Sequence, residues 1–328
     1  MLKKRGAAIL KAAVSGALLY VLFRRVDIGV FLETVSSINP SVIILLALAY
    51  IVLQCLSTYR WSIVLRKDAD VRYTELLSIY FIGMFFNNFL PTLVGGDLVK
   101  GYYLYRKTEK GEIAFASIFM DRYSGFAALI AITLISLLFG WGFLHRIGGA
   151  GLIWVFILLI CGFFGLSSIL WFERLHSFLA NIIGHAGIFG LNEKMDSFYR
   201  VFMNYKGRRE VLFKIFFLSL IIQSGVIICY FVLGRSVGID VPVGYFFLFV
   251  PLAIVFSMVP LSLSGLGIRE GVFIFLFTKA GVSREAALSM SLIWFMVVAA
   301  VSMAGAFEYV RRGEKRGQLG IEGGLEKG

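Results

Sequence analysis

The chain has 328 residues, of which 59% are hydrophobic and 16% are charged, and its formal net charge is +12. A single hydrophobic core stops growing near this length, so a soluble domain could not bury so large an apolar fraction. The composition excludes an ordinary water-soluble enzyme, a disulfide-stabilised secreted domain and a disordered chain. It predicts an all-α protein that crosses a membrane several times.

Six segments are apolar and long enough to cross a bilayer, which takes about 20 residues. In chain order they are residues 6–23, 41–64, 113–139, 151–172, 211–234 and 285–309. The first segment resembles a signal peptide, but Lys11 interrupts it and no small-residue cleavage site follows it. We therefore interpret it as an uncleaved first span.

Two further apolar regions are interrupted by proline and glycine. Residues 76–105 are broken by Pro91, Gly95 and Gly96, and residues 245–277 are broken by Pro260, Gly265 and Gly267. A helix over the first arm would rise about 22 Å, which is less than the roughly 30 Å of a hydrocarbon core. The sequence therefore predicts six full spans and two re-entrant helical hairpins. If the hairpins are counted as crossings, the chain has eight or more membrane segments with the same positions of the termini.

The distribution of basic residues predicts the topology. Most of them lie at the N-terminus and in 66–72, 100–110, 173–210 and 310–328. Because cytoplasmic loops of membrane proteins are enriched in Lys and Arg, we expect a multi-pass protein of the cell membrane with both termini in the cytoplasm. The first hairpin should then enter from the cytoplasmic face and the second from the outer face.

The two broken regions also predict an internal repeat. Pro91 and Pro260 are each followed by glycine five residues later and by a cation nine residues later. We expect one membrane domain, residues 1–312, with two inverted halves, 6–172 and 211–310. An amphipathic cytoplasmic segment, 173–210, should join the halves, and a Gly-rich tail, 313–328, should be disordered.

Interrupted segments at corresponding places in two halves indicate a binding site between the repeats. Non-helical backbone at membrane depth is tolerated where protein or a watery cavity surrounds it. The candidate residues of this cavity are Asn87, Asn88, Asp97, Lys100, Asp121, Arg122, Ser262, Ser264, Arg269 and Glu270. The cations among them should contact an anionic headgroup, and the carboxylates should orient those cations or carry protons.

Some of these residues have a structural interpretation as well. Asp121 and Arg122 could pair with each other or extend to the membrane interface instead of lining a cavity. Ser262 and Ser264 could satisfy backbone carbonyls freed by the break. Arg60, which precedes Trp61 near the end of the second span, is interpreted as extending to the interface.

Catalytic and metal-binding patterns are weak in this sequence. The three cysteines are far apart, the three histidines form no ligand pattern, and neither a Ser-His-Asp arrangement nor a P-loop occurs. We therefore expect no enzyme activity, no metal and no cofactor. The expected partner is a membrane lipid with an anionic headgroup, and not a nucleic acid.

At the two breaks and the Asp121–Arg122 pair, the sequence resembles a known family. The segments are Asn88 to Pro91, Gly95 to Asp97, and Pro260 to Glu270. They are similar to the lysylphosphatidylglycerol synthase transmembrane region, a flippase-like family also called UPF0104, over about residues 6–310. In bifunctional members a soluble aminoacyl-tRNA-dependent transferase domain follows, whereas only a short tail follows Arg312 here. The resemblance implies lipid translocation without lipid synthesis.

Three functions remain open from the sequence. The first is a flippase or transporter that moves an anionic phospholipid or polyprenyl-phosphate lipid between leaflets. The second is a non-transporting scaffold that binds a lipid- or glycan-synthesising enzyme through 173–210. The third is an intramembrane enzyme that acts on a polyprenyl phosphate.

Overall fold

The computed structural model describes residues 27–89, 95–146, 205–258 and 265–325, together with Tyr20, Met203 and parts of 158–168. Over the described ranges the chain forms helices and no strand. These are α1 (Ile28–Ser36), α2 (Pro40–Leu65), α3 (Tyr73–Phe89), α4 (Gly95–Thr108), α5 (Gly111–Arg146), α6 (Arg209–Ser236), α7 (Val243–Ser257), α8 (Ile268–Lys279) and α9 (Arg284–Leu325). The prediction of an all-helical protein is confirmed over these residues.

Four helices in the described part of the chain are long and apolar enough to cross a membrane. They are Pro40–Leu65, Gly111–Leu138, Arg209–Ser236 and Arg284–Arg312, and they coincide with four of the six predicted spans. The other two predicted spans, 6–23 and 151–172, and the joining segment 173–210 lie wholly or largely outside the described residues. The total of six spans and two hairpins therefore stays a prediction.

Helix α2 begins where its sequence provides a capping residue. The side chain of Asn39 accepts a hydrogen bond of 2.9 Å from the Ser41 amide, which satisfies one of the free donors in the first turn. Pro40 occupies the first helical position, where its missing N–H removes no intrahelical hydrogen bond. The helix then continues through the apolar run to Leu65.

Each broken region folds as two helices that pack side by side and run in opposite directions. In the first hairpin, α3 and α4, the Asn87 side chain accepts a 2.9 Å bond from the Gly96 amide near the tip. At its base, Lys107 forms a 2.9 Å ion pair with Glu75. In the second hairpin, α7 and α8, aromatic rings pack against each other along the helices. Pro91 and Pro260, which lie in sequence between the two helices of each hairpin, are outside the described residues.

The glycines at the two breaks have different roles. Gly265 and Gly267 have φ angles of 77° and 87°, a left-handed conformation that glycine adopts without steric cost. Gly95 and Gly96 instead form the first turn of α4, although the sequence predicted that they turn the chain. A Cβ atom at Gly96 would collide with the carbonyl oxygen of Gly83 in α3. Gly96 is therefore needed for close helix packing in the first hairpin.

The second hairpin is anchored in an aromatic core. The Tyr230 ring of α6 lies 4.9 Å from Trp294 of α9 and 5.1 Å from Phe273 of α8, measured between ring centroids. Phe246 and Phe249 of α7 close the cluster against α8, and both are completely buried. Large buried aromatic side chains dominate core energetics, so the N-terminus of α8 has a fixed position.

The last helix is longer than expected. Helix α9 continues to Leu325, beyond the predicted span 285–309. The prediction of a disordered tail over 313–328 stays a prediction. A helix that extends an existing helix needs no new nucleus. Glu314, Lys315 and Arg316 are good helix formers and favour this extension.

An ion pair outside the spans ties the two halves together. Arg208, which precedes α6, donates bonds of 2.7 and 2.8 Å to the two carboxylate oxygens of Asp68, which follows α2. The Tyr205 hydroxyl donates a third bond of 3.2 Å to the same carboxylate. The hydrogen bonds from Arg208 hold the pKa of Asp68 below its ordinary value, against the opposing effect of burial.

We expect Gly305→Ala to destabilise the protein. A Cβ atom at this position of α9 would collide with the carbonyl oxygen of Phe81 in α3, and such overpacking costs about 1–3 kcal/mol. Gly271→Ala in α8 is the matched control, because its Cβ meets no atom within 4 Å and alanine favours a helix. Thermal unfolding in detergent should show a lower midpoint for Gly305→Ala alone. Equal midpoints would contradict the packing of α3 against α9.

We expect Asp68→Asn to lower the unfolding temperature at pH 7. A carboxylate whose pKa is lower in the folded protein than in the unfolded chain stabilises the fold. This stabilisation is fully present at pH values above the unfolded-state pKa, which is about 3.9 for Asp. That stabilisation is lost as the pH falls through the lower pKa of the folded state. The difference from wild type should therefore disappear only in strong acid. Asp70→Asn, an exposed position in the same connection, should not change the midpoint at either pH.

Candidate functional site

A central cavity of about 360 Å³ opens among helices of both halves and both hairpins. Part of its wall is apolar, with Met84, Ile222 and Trp294. Its polar lining consists of Tyr50, Gln54, Ser57, Arg60, Tyr80, Asn87, Asn88, Lys100, Asp121, Arg122, Gln223, Tyr230, Ser257 and Arg269. An apolar wall with a few converging polar groups is typical of a small-molecule site.

Most of the sequence-predicted site residues meet at this cavity. Asn87, Asn88, Lys100, Asp121, Arg122 and Arg269 line it. Asp97 and Glu270 are each bonded to a lining arginine. Ser262 and Ser264 lie outside the described residues. The contact of any of these side chains with a substrate stays a prediction.

The first ion pair joins α2 to α5. The Arg60 guanidinium donates to the Asp121 carboxylate at 2.8 Å and to the Ser219 hydroxyl of α6 at 2.8 Å. Arg60 and Asp121 are each only 5% exposed. The prediction that Arg60 extends to the interface is therefore wrong, because a buried guanidinium is stable beside a carboxylate on the neighbouring helix.

The second ion pair joins α5 to the first hairpin. The Arg122 guanidinium donates to Oδ2 of Asp97 at 2.7 Å. The other oxygen, Oδ1, is buried without a hydrogen bond and lies 3.7 Å from the Lys100 ammonium. Asp121 and Arg122 thus pair with two different helices and not with each other. Adjacent helical residues point about 100° apart, since a turn contains 3.6 residues.

Lys100 has an aromatic neighbour as well. Its ammonium lies 3.7 Å from the centroid of the Tyr80 ring, a distance at which the face of an aromatic ring attracts a cation. The residue is 5% exposed. The Tyr80 ring and the nearby Asp97 carboxylate place the lysine ammonium at the lining.

The third ion pair belongs to the second hairpin. The Arg269 guanidinium donates to Oε1 of Glu270 at 2.6 Å, and the Ser291 hydroxyl of α9 donates to the same oxygen at 3.1 Å. The other oxygen, Oε2, accepts a 2.6 Å bond from the Gly267 amide. Glu270 is completely buried, and both of its oxygens are bonded. Its carboxylate fixes both the start of α8 and the position of Arg269.

The helix N-termini at the two breaks are partly occupied by the protein itself. Helix N-termini attract anions because their free amides carry partial positive charge. One amide at the start of α4, that of Gly96, donates to Asn87. One amide at the start of α8, that of Gly267, donates to Glu270. The lysine and arginine side chains, more than these amides, give the cavity its charge.

The lining and its direct partners carry a small excess of positive charge. Each arginine at the cavity has a carboxylate of its own, as described above. Lys100 shares Asp97 with Arg122. Within this group, therefore, one positive charge lacks a carboxylate of its own. This set of charges can bind one phosphate or carboxylate group. Within the described residues, no cluster of His, Cys, Asp and Glu could hold a metal ion.

Sequence reasoning missed several lining residues. Gln54, Ser57 and Arg60 recur every third residue along α2. On α6, the lining residue Gln223 follows Ser219, a hydrogen-bond partner of Arg60, at a spacing of four. Such spacings put side chains on one face of a helix. A search for polar faces within the apolar spans could have found both groups.

We expect Asp121→Asn to lower stability strongly. The change leaves the Arg60 guanidinium buried without its counter-charge, which typically costs 3–5 kcal/mol. The double variant Arg60→Gln/Asp121→Asn should lose less than the sum of the two single variants in thermal unfolding. Glu210→Gln, in an exposed pair of α6, is the control and should not change the midpoint. Additive losses would contradict a direct ion pair.

Comparisons with known proteins agree with this architecture. The family model described as lysylphosphatidylglycerol synthase TM region matches residues 8–305. A UPF0104 membrane protein of Methanothermobacter thermautotrophicus is 26% identical over 295 residues, which cover 81% of each chain. Another from the same organism is 23% identical over 326 residues, covering 92% of this chain and 95% of the relative.

A third relative comes from Pyrococcus horikoshii. This UPF0104 membrane protein is 23% identical over 270 residues, which cover 76% of this chain and 81% of the relative. The family match extends over far more than half of the chain and includes both hairpins, three of the four spans described above and most of the fourth. The protein is therefore a polytopic integral membrane protein that belongs to the lysylphosphatidylglycerol synthase TM region family.

Proposed function

We propose that this protein is a flippase-like transporter that moves a lipid with an anionic headgroup between the leaflets of the cell membrane. The observation that carries the proposal is the central cavity, in which cations from both hairpins and from two spans converge. A site of this kind gives a phosphate group a polar environment inside an otherwise apolar bundle.

The physical need for such a site comes from desolvation. A charged group at the centre of a bilayer is strongly disfavoured without partners, and its loss of water is compensated only by hydrogen bonds and opposite charge. The side chains of Lys100, Arg122 and Arg269 can provide hydrogen bonds and positive charge to a phosphate. The hydrocarbon chains of the lipid can remain in the bilayer against the exposed apolar faces of the helices.

We also propose the orientation that the basic residues favour, with both termini in the cytoplasm. In this orientation the first hairpin enters from the cytoplasmic face and the second from the outer face. A cavity between two such hairpins can be reached from either side in turn. Alternating access of that kind is typical of transporters built from inverted repeats.

Reconstitution tests the proposal directly. Vesicles of phosphatidylcholine with fluorescent phosphatidylglycerol should lose their inner-leaflet label to an external quencher faster with the protein than without it. We expect Lys100→Gln to slow this movement about tenfold or more, since a hydrogen bond to a charged group contributes about 1.5–3 kcal/mol. Lys107→Gln, which changes an exposed lysine of the same helix, should keep the wild-type rate.

Two results would overturn the transport proposal. One is movement equal to that in protein-free vesicles for phosphatidylglycerol and for other anionic lipids. The other is equal rates for Lys100→Gln and Lys107→Gln in folded protein. A scaffold for a lipid- or glycan-synthesising enzyme would then remain, and deletion of 176–205 should abolish capture of that enzyme.

A further inference from the structure

A second cavity, here called the α4–α5 groove, lies beside the first and has no assigned role. It measures about 400 Å³ and is formed by α4 and the first part of α5. Its lining residues are Asp97, Leu98, Gly101, Tyr102, Tyr105, Gly111, Ala114, Phe115, Ile118, Phe119 and Arg122. All of them except Asp97 and Arg122 are apolar, aromatic or glycine.

The groove is open along one side of the bundle. Leu98 is 62% exposed, Phe115 is 60% exposed, and Tyr102 and Tyr105 are each about half exposed. Helix α5 contains one of the four candidate membrane spans, and α4 packs against it. In a membrane, the solvent of an open apolar face on such a span is lipid. The surroundings of the groove therefore favour a hydrocarbon chain as its occupant.

Two glycines leave room for the groove. A Cβ atom at Gly101 would lie 3.5 Å from Cδ1 of Ile118, and one at Gly111 would lie 3.7 Å from the Tyr105 ring. Both distances are ordinary van der Waals contacts, so neither glycine is needed for close helix packing. A larger side chain at Gly101 would extend into the groove without a backbone collision.

The two cavities meet at Arg122. This residue lines both the groove and the central cavity, and its side chain is 42% exposed. Its partner Asp97 lines the groove and is 11% exposed in the side chain. If the hydrocarbon chain of an anionic lipid occupies the groove, the headgroup of that lipid would meet the Arg122 guanidinium first. The Asp97–Arg122 pair separates this headgroup from the central cavity.

We propose that the α4–α5 groove binds one hydrocarbon chain of an anionic phospholipid, and that the lipid phosphate replaces Asp97 as the partner of Arg122 on its way into the central cavity. The groove is then a lateral entry site, and the Asp97–Arg122 pair is its gate. The transport role of this site rests on the proposed function, whereas lipid binding in the groove does not.

The neighbouring lysine makes this exchange physically reasonable. Asp97 Oδ1 has no hydrogen bond, and the Lys100 ammonium is 3.7 Å away. A small movement of the flexible lysine side chain would bring it within hydrogen-bond distance. Asp97 would then be neutralised by Lys100 while Arg122 is free to bind phosphate, so no buried charge is left without a partner.

The binding test uses a phosphatidylglycerol with a photoactivatable diazirine in one acyl chain. Wild-type protein in phosphatidylcholine nanodiscs should be labelled in the segment 98–119. Gly101→Leu should lose most of this labelling. Gly244→Leu is the matched control, because Gly244 is an exposed glycine of α7 with no atom within 4 Å of an added Cβ. Phe115→Trp narrows the same groove if Gly101→Leu does not fold.

The gate is tested by two substitutions with opposite expected effects. Asp97→Asn removes the competitor for Arg122 and should increase labelling by phosphatidylglycerol. Arg122→Gln removes the phosphate partner and should reduce labelling about tenfold or more. Labelling by a diazirine diacylglycerol, which has no phosphate, should respond to Gly101→Leu but to neither of the two charge changes.

The outcomes separate this inference from the proposed function. Equal labelling of wild type and Gly101→Leu would overturn the proposal that the groove binds lipid. If Asp97→Asn and Arg122→Gln change the labelling in the same direction, the proposed gate is overturned. Transport by wild type together with either result would leave the proposed function standing. If the groove is labelled as expected but no lipid is transported, lipid binding in the groove is supported and the proposed flippase function is overturned.

Discussion

The cavity depends on carboxylates that hold cations charged where little water is available. Moving a guanidinium into the interior of the bundle without a counter-charge is costly, so each arginine needs a partner before any substrate arrives. Arg60 finds its partner on α5, Arg122 finds its partner on α4, and Arg269 pairs within α8. The first two pairs also join helices. The same contacts that charge the lining therefore fix how α2, α4 and α5 sit relative to one another.

Each hairpin contributes a carboxylate that pairs with an arginine, but the two carboxylates differ in how completely they are hydrogen-bonded. At the second hairpin both oxygens of Glu270 are bonded, the residue is completely buried, and aromatic packing holds α8 behind it. At the first hairpin one oxygen of Asp97 has no hydrogen bond, and Arg122 is partly exposed. A change of ion-pair partner is easier where a donor and an acceptor are already nearby. In the proposed transporter, exchange with a ligand would therefore begin at the first hairpin, while the second would provide a fixed cation.

The sequence predicted the interrupted helices and six of the polar residues that line the cavity, because prolines, glycines and charges are rare inside apolar runs. It could not predict the partners. Asp121 and Arg122 are adjacent in the chain but face different helices, and a linear pattern does not show which helix packs on which face. Arg60 was misinterpreted for the same reason. Gly96 was assigned to a turn because proximity to Gly83 becomes visible only when α3 and α4 are packed.

The charge of the lining narrows the headgroup that the proposed transporter can accept. One phosphodiester, with its single negative charge, would balance the one cation that lacks its own carboxylate. A headgroup amine near Lys100 would be repelled, because both groups are positive and the local dielectric is low. A zwitterionic lipid could bind only if its amine points away from Lys100, toward polar groups such as Gln54 or Gln223 on the opposite helices. Selectivity would then depend on the orientation of the headgroup as much as on its total charge.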